Sequence, residues 1–98
     1  MDIPKDSIKN ELRLESNRIL KKYDEPYVVE DIAILNTNYN INFLGNLRVF
    51  NQDISKKIEN EIDNAFKKYG ELTVRSREVV PCCSPKYVHI SFNLTIDK

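Results

Sequence analysis

Glycine and proline are scarce in this chain of 98 residues, which contains two Gly and four Pro. Together with a hydrophobic fraction of 41%, this scarcity excludes a collagen-like repeat and a disordered, low-complexity chain. Two glycines are also too few for a glycine-rich phosphate-binding loop, so nucleotide hydrolysis is not expected. The length predicts one domain over residues 1–98, which excludes a two-domain enzyme with a cleft between its domains.

The chain also has no net charge, because 15 Lys and Arg balance 15 Asp and Glu. Without a basic excess there is no general attraction to nucleic acid or to anionic lipid, so any such binding requires a local basic patch. No apolar run approaches the length of a secretory signal or of a membrane-spanning helix. We therefore expect a cytoplasmic protein that does not associate with membranes.

Residues that bind metals or act as nucleophiles are few, since the chain has two cysteines and one histidine. The adjacent Cys82 and Cys83 cannot form a disulfide framework, and with His89 they supply too few ligands for a closed zinc site. A Cys–His catalytic pair is disfavoured because His89 lies several strand residues beyond the turn that holds the cysteines. We expect no metal, no cofactor and no enzymatic activity. A thiol switch, a vicinal disulfide and a metal site shared with a second chain are the alternatives.

Two segments have the apolar periodicity of amphipathic helices. The first is predicted over residues 5–23 and must stop before Pro26, which requires an extended residue ahead of it. The second is predicted over residues 54–69, with Asp53 as the N-cap and Gly70 as a left-handed C′ residue. The apolar positions of the two helices match in order, which suggests an internal αββ repeat. Chance similarity between two amphipathic helices is the alternative.

Four segments are rich in β-branched and aromatic residues and predict two hairpins. The first joins residues 27–35 and 41–50 around an Asn-rich turn, and the second joins residues 72–80 and 86–96 around a Pro-Cys-Cys-Ser-Pro turn. The resulting order is αββαββ. We predict an α+β fold in which both helices pack on one face of a four-stranded, mainly antiparallel sheet.

The first hairpin leads to the principal functional hypothesis, an apolar patch on the sheet face that the helices leave uncovered. Pairing about the Asn-rich turn directs Ala33 and Leu35 inward. The predicted outward residues that would bind a partner are Val28, Ile32, Ile34, Leu44, Arg48 and Phe50. Such a patch indicates a non-enzymatic protein-binding module, either a homodimeric adaptor or a small inhibitor of a larger target. A register error of one residue would exchange the two faces.

The second hairpin supports an alternative hypothesis, which is nucleic-acid binding. Its cross-strand pairs on the uncovered face are predicted to be Thr73–Asn93, Arg75–Ser91, Arg77–His89 and Val79–Tyr87. In this interpretation Arg75 and Arg77 bind phosphate groups. Tyr87 stacks on a base and His89 makes a polar contact. An ordinary solvated sheet face is the competing interpretation.

Overall fold

The computed structural model describes residues 3–98 and confirms the predicted αββαββ order. The elements are α1 (Lys5–Lys22), β1 (Ala33–Asn36), β2 (Asn40–Val49), α2 (Gln52–Phe66), β3 (Glu71–Val79) and β4 (Tyr87–Asp97). The four strands form one antiparallel sheet in the order β1-β2-β4-β3. Neither helix combines the length and the apolar character that crossing a bilayer requires.

The middle of the sheet is built from one strand of each αββ half. Strand β2 pairs with β4 from Asn40 opposite Asp97 to Val49 opposite Val88. The outer strands β1 and β3 then flank this central pair on either side. The strand order therefore places the two αββ halves symmetrically about the β2–β4 ladder, as an internal repeat would require.

The hydrophobic core lies between the helices and one face of the sheet. Most of its largest fully buried side chains come from both helices and the two central strands, namely Leu12, Ile19, Leu20, Phe43, Leu47, Ile58, Ile62, Phe66, Ile90 and Leu94, and the segment before β1 adds Val29 and Ile32. The ring of Phe66 packs edge-on against Phe92, with the ring centroids 5.1 Å apart. This packing determines which face of the sheet is covered by the helices and which is left uncovered.

Helix α1 ends in a Schellman motif at Asp24, which adopts a left-handed conformation with φ of 57°. The Asp24 N–H donates to the Lys21 carbonyl at 3.1 Å, and the Glu25 N–H donates to the Leu20 carbonyl at 2.9 Å. Pro26 follows and cannot continue a helix. The predicted end of the first helix is therefore confirmed.

Helix α2 has different termini from those predicted. Its N-cap is Asn51, whose side chain accepts a hydrogen bond from the Asp53 N–H at 3.0 Å, so the predicted Asp53 cap is wrong. The helix ends at Phe66, and Gly70 does not have a positive φ, so the predicted left-handed role of Gly70 is also wrong. A Cβ at Gly70 would lie 2.4 Å from the Thr95 carbonyl oxygen, so a close backbone approach requires glycine there.

The first strand of the first hairpin is much shorter than predicted, because residues 27–32 dock on α1 instead of pairing with β2. The Asn17 side chain donates to the Val29 carbonyl at 3.0 Å and accepts from the Val29 N–H at 2.7 Å. A salt bridge of 2.8 Å between Lys9 and Asp31 adds a second attachment. These contacts satisfy both backbone groups of Val29 and attach the segment to α1 without a strand ladder.

The register of β1 reverses the faces predicted for this strand. Ile34 lies opposite the buried Phe43, so it points toward the helices and is half-buried against the core. Ile32 is only 1% exposed. The predicted outward placement of Ile32 and Ile34 is therefore wrong, because a shift of one residue exchanges the two faces of a strand. Ala33 and Leu35 occupy the outward positions instead.

Two tyrosine–glutamate hydrogen bonds connect the helices. Tyr23 follows α1 and donates to Glu61 of α2, and Tyr69 follows α2 and donates to Glu11 of α1 at 2.6 Å. The bond to Glu11 raises the pKa of Tyr69 to about 12, and burial and the negative charge of the carboxylate add to the effect. The bond from Tyr23 and a salt bridge from Lys22 lower the pKa of Glu61.

Candidate functional site

The candidate functional site is the sheet face opposite the helices, which we call the open face. Side chains at alternate positions of the four strands point away from the core and form this surface. The residues of the open face are Ala33, Leu35, Asn42, Leu44, Asn46, Arg48, Glu71, Thr73, Arg75, Arg77, Val79, Tyr87, His89, Ser91, Asn93 and Thr95.

The register predicted for the second hairpin is confirmed at all four cross-strand pairs. Strands β3 and β4 place Arg75 opposite Ser91 and Arg77 opposite His89, and the Thr73–Asn93 and Val79–Tyr87 pairs are as predicted. The four residues proposed to bind nucleic acid, Arg75, Arg77, Tyr87 and His89, thus share the open face. The first hairpin adds a residue to this group that the prediction had assigned to a different site.

That additional residue is Arg48, which lies opposite His89 on the side away from Arg77. Arg48, His89 and Arg77 therefore form one row across three strands, and Arg75 lies on the open face two residues before Arg77. We call these four residues the basic cluster. Among residues 3–98, no carboxylate forms a salt bridge with any of its three arginines. The cluster therefore presents uncompensated positive charge on an otherwise neutral protein.

His89 is the residue at the centre of the basic cluster. Burial lowers its pKa below the ordinary value of 6.5, and the charges of Arg77 and Arg48 lower it further. The imidazole is therefore uncharged at neutral pH and carries one hydrogen-bond donor and one acceptor. It can make a polar contact with a ligand without adding to the repulsion among the arginines.

Aromatic residues border the basic cluster at one end of the sheet. The rings of Phe50 and Tyr87 lie 5.8 Å apart, and the Arg48 guanidinium lies 4.9 Å from the centroid of Tyr87. Arg48 thus covers part of the Tyr87 ring that was predicted to stack on a base. Phe50 is 37% exposed, so Phe50 and the guanidinium plane of Arg48 provide the accessible stacking surface.

On the other side of the basic cluster the open face contains a shallow depression of about 470 Å³. The side chains that surround it are Leu44, Asn46, Thr73, Arg75, Ser91 and Asn93. The Asn93 Oδ1 atom is buried there and has no hydrogen-bond partner among residues 3–98. Burying a carbonyl oxygen without a donor costs about 1–3 kcal/mol. Because Asn93 lines the depression, a rotation of its carboxamide would bring this oxygen to the surface, where a ligand could donate to it.

The structure does not assemble the six residues predicted for the apolar patch. Ile32 and Ile34 belong to the core side, as described above. Leu44 and Phe50 are both exposed, but six residues of extended chain separate them by about 20 Å. Val28 is exposed in the segment that docks on α1. Exposed apolar residues of the open face instead form a small patch, which we call the apolar corner. It consists of Ala33, Leu44 directly opposite it, and the neighbouring Leu35, which is 55% exposed.

The cysteine turn lies beyond the Val79–Tyr87 pair that ends the second hairpin. Cys82 and Cys83 are both free and exposed. Within residues 3–98, no three His, Cys, Asp or Glu side chains cluster in a way that could hold a metal ion.

The fold and the site define a small α+β protein with an open, locally basic sheet face. Comparison with protein-family models, with curated proteins and with solved structures finds no match to this chain.

Proposed function

We propose that this protein binds single-stranded nucleic acid on its open face and acts by binding, without catalysis. The observation that carries the proposal is the basic cluster, in which Arg48, Arg75 and Arg77 surround a neutral His89 and have no acidic partner among residues 3–98. Guanidinium groups bind phosphate through charge-assisted, bidentate hydrogen bonds, so this cluster suits the backbone of a nucleic acid.

The shape and composition of the surface favour a single strand. An open sheet can hold extended chain against it, and unpaired bases can stack on Phe50 or on the plane of Arg48. The polar side chains of Asn46 and Ser91 lie in the same cross-strand row as Arg75 and extend the surface across the sheet. Glu71 lies at the opposite end, beside Thr95, so the charge of the open face changes from basic to acidic along the strands.

The neutral net charge of the protein predicts a weak and salt-dependent interaction. Three arginine–phosphate contacts on a single strand correspond to a slope of about −2 when the logarithm of the binding constant is plotted against the logarithm of salt concentration. Most of the affinity should therefore be lost between low and physiological ionic strength. Global electrostatic attraction makes no contribution, so binding depends on the local cluster.

Fluorescence anisotropy with a labelled single strand of about twelve nucleotides tests the proposal, over salt concentrations from about 20 to 200 mM. We expect Arg75→Ala with Arg77→Ala to weaken binding at least about tenfold at low salt and to reduce the slope to about −0.7. The matched control is Lys57→Ala with Lys67→Ala, which removes the same charge from exposed positions at the helical side. Absence of salt-sensitive binding, or equal losses in both double variants, would overturn the proposal.

A protein partner, including a second copy of this chain, is the other candidate and rests on the apolar corner. Leu35 is 55% exposed and Leu44 is 37% exposed, and they lie on neighbouring strands beside Ala33. Sedimentation velocity across micromolar concentrations tests self-association. Leu35→Lys is the informative variant because Leu35 is exposed, whereas a lysine at the neighbouring Ile34 would disrupt the core. A monomer at every concentration would rule out the homodimer.

A further inference from the structure

We infer that the depression beside the basic cluster is a binding site for one nucleobase, with the side chain of Asn93 hydrogen-bonded to the edge of the base. The inference rests on the proposed function and adds to it, because it names the part of the ligand that the polar half of the open face recognises. The basic cluster would hold phosphate groups, and this site would hold a base.

The register of the sheet places complementary chemistry around Asn93. Leu44 lies directly opposite Asn93 on β2, and Thr73 lies directly opposite it on β3. The next row along the strands holds Ser91 and Arg75. A planar base in the depression would contact the apolar side chain of Leu44 on one side and the hydroxyl of Thr73 on the other. Its phosphate would lie toward Arg75.

The unpartnered oxygen of Asn93 is the observation that points to a ligand. Buried polar atoms in folded proteins almost always have a hydrogen-bond partner, and Asn93 Oδ1 has none among residues 3–98. Every nucleobase presents at least one N–H donor on its exposed edge, and a carboxamide can accept that bond while its amino group donates to a neighbouring acceptor. Rotation of the Asn93 carboxamide toward the depression would let this oxygen accept a hydrogen bond from a bound base.

The distance between the two ends of the open face determines the length of ligand required. Tyr87 and Asn93 are six residues apart on β4, which corresponds to about 20 Å of extended strand. A strand stacked as in a duplex, with about 3.4 Å per nucleotide, needs roughly six nucleotides to cover this distance, and a more extended strand needs fewer. A longer oligonucleotide can therefore occupy the aromatic end, the basic cluster and the depression at the same time.

The test compares a base-bearing oligonucleotide of about twelve nucleotides with an abasic strand of the same length and charge. We expect the wild-type protein to bind the base-bearing strand at least about fivefold more tightly at low salt, since each recognised base adds to the phosphate contacts. Asn93→Leu should lower the affinity for the base-bearing strand and leave the affinity for the abasic strand unchanged. Asn64→Leu is the matched control, because it makes the same substitution at an exposed position of α2.

A second measurement keeps the inference falsifiable if Asn93→Leu does not fold. In the wild-type protein, the side-chain amide resonances of Asn93 should shift on titration with the base-bearing strand and remain in place with the abasic strand. Equal affinity for the two strands, with no effect of Asn93→Leu and no shift of these resonances, would overturn the nucleobase site and leave the proposed function intact. Failure of both strands to bind would overturn both.

Discussion

Gly45 lies directly opposite Phe92 in the central ladder of the sheet, and the ring of Phe92 fills the space that a side chain at Gly45 would need. A Cβ added to Gly45 would lie 2.3 Å from the Cζ atom of Phe92. The ring cannot withdraw freely, because it is buried and packs edge-on against Phe66. The pairing of β2 with β4, which joins the two αββ halves, therefore requires a glycine at position 45.

Gly45→Ala is expected to destabilise the protein by about 1–3 kcal/mol, the usual cost of overpacking a well-packed core. Chemical denaturation monitored by circular dichroism measures the change. Asn46→Ala, at the next position of β2 but on the open face, should change the free energy of unfolding by less than about 0.5 kcal/mol. The double variant Gly45→Ala with Phe92→Leu should lose less stability than the sum of the losses in the two single variants, because the smaller side chain relieves the clash. Additive losses would contradict the proposed clash.

Glu25→Ala should be among the more destabilising substitutions of a charged residue in this chain. The Glu25 carboxylate is buried and accepts hydrogen bonds from the Phe50 N–H at 2.7 Å and the Asn51 N–H at 3.2 Å, immediately before α2 begins. Its removal leaves two backbone donors without that acceptor, at a cost of about 2–3 kcal/mol. Denaturant midpoints for Glu25→Ala and for the exposed control Glu30→Ala measure the difference. Similar midpoints for the two variants would contradict this role.

Asp24→Gly should stabilise the protein by about 0.5–1 kcal/mol, because glycine adopts the left-handed conformation at the end of α1 without a steric penalty. The substitution also removes a negative charge from the C-terminal end of the helix dipole. Asp24→Asn separates the two effects, since asparagine removes the charge and retains a side chain. A thermal melt in which Asp24→Gly is no more stable than the wild-type protein would refute the strain argument.

The lowered pKa of His89 predicts a loss of stability in mild acid. Well above pH 6.5 the histidine is neutral in both the folded and the unfolded state. As the pH falls through 6.5, the unfolded chain takes up its proton first, so the free energy of unfolding decreases until the folded pKa is passed. His89→Gln lacks this contribution. Denaturation of both proteins from about pH 7.5 downward should show their stability difference changing with pH, whereas a constant difference would contradict the prediction.

Cys82→Ser combined with Cys83→Ser should change the free energy of unfolding by less than about 1 kcal/mol, as is usual for exposed turn positions. Both thiols are free and exposed, and Pro81 and Pro85 restrict the backbone on either side. Thiol titration, elemental analysis and melts with and without reductant provide the measurement. Stoichiometric zinc, or a reductant-dependent melt that the double variant abolishes, would instead assign a redox or metal role to the turn.

The contrast between the two hairpins explains which parts of the fold could be predicted from the sequence. In β4, apolar residues alternate strictly with polar ones, so a single register buries Ile90, Phe92 and Leu94 together, and that register is observed. In the first hairpin, Ile32 and Leu35 are both apolar but lie on opposite faces, so alternation cannot distinguish the two registers. The apolar pattern of the first hairpin is therefore compatible with either register.

Long-range contacts account for the other differences between the predicted and the observed structure. Asn17 lies on the polar side of α1, and nothing in its sequence context indicates that it binds both backbone groups of Val29 and keeps that segment out of the sheet. Asn51 and Asp53 are both good N-cap residues, so the start of α2 was ambiguous by two positions. Arg48 could not be added to the basic cluster until the order of the strands was known, because its partner His89 belongs to the other hairpin.

The position of β2 beside β4 also determines when the sheet can form. The β3–β4 hairpin joins neighbouring segments, whereas the pairing of Leu47 with Ile90 closes a loop that contains α2 and β3. The entropy of closing such a loop must be lost before its distant contacts compensate for it, and pairings of this kind slow folding. We therefore expect the hairpin to form early and the docking of β2 on β4 to set the folding rate.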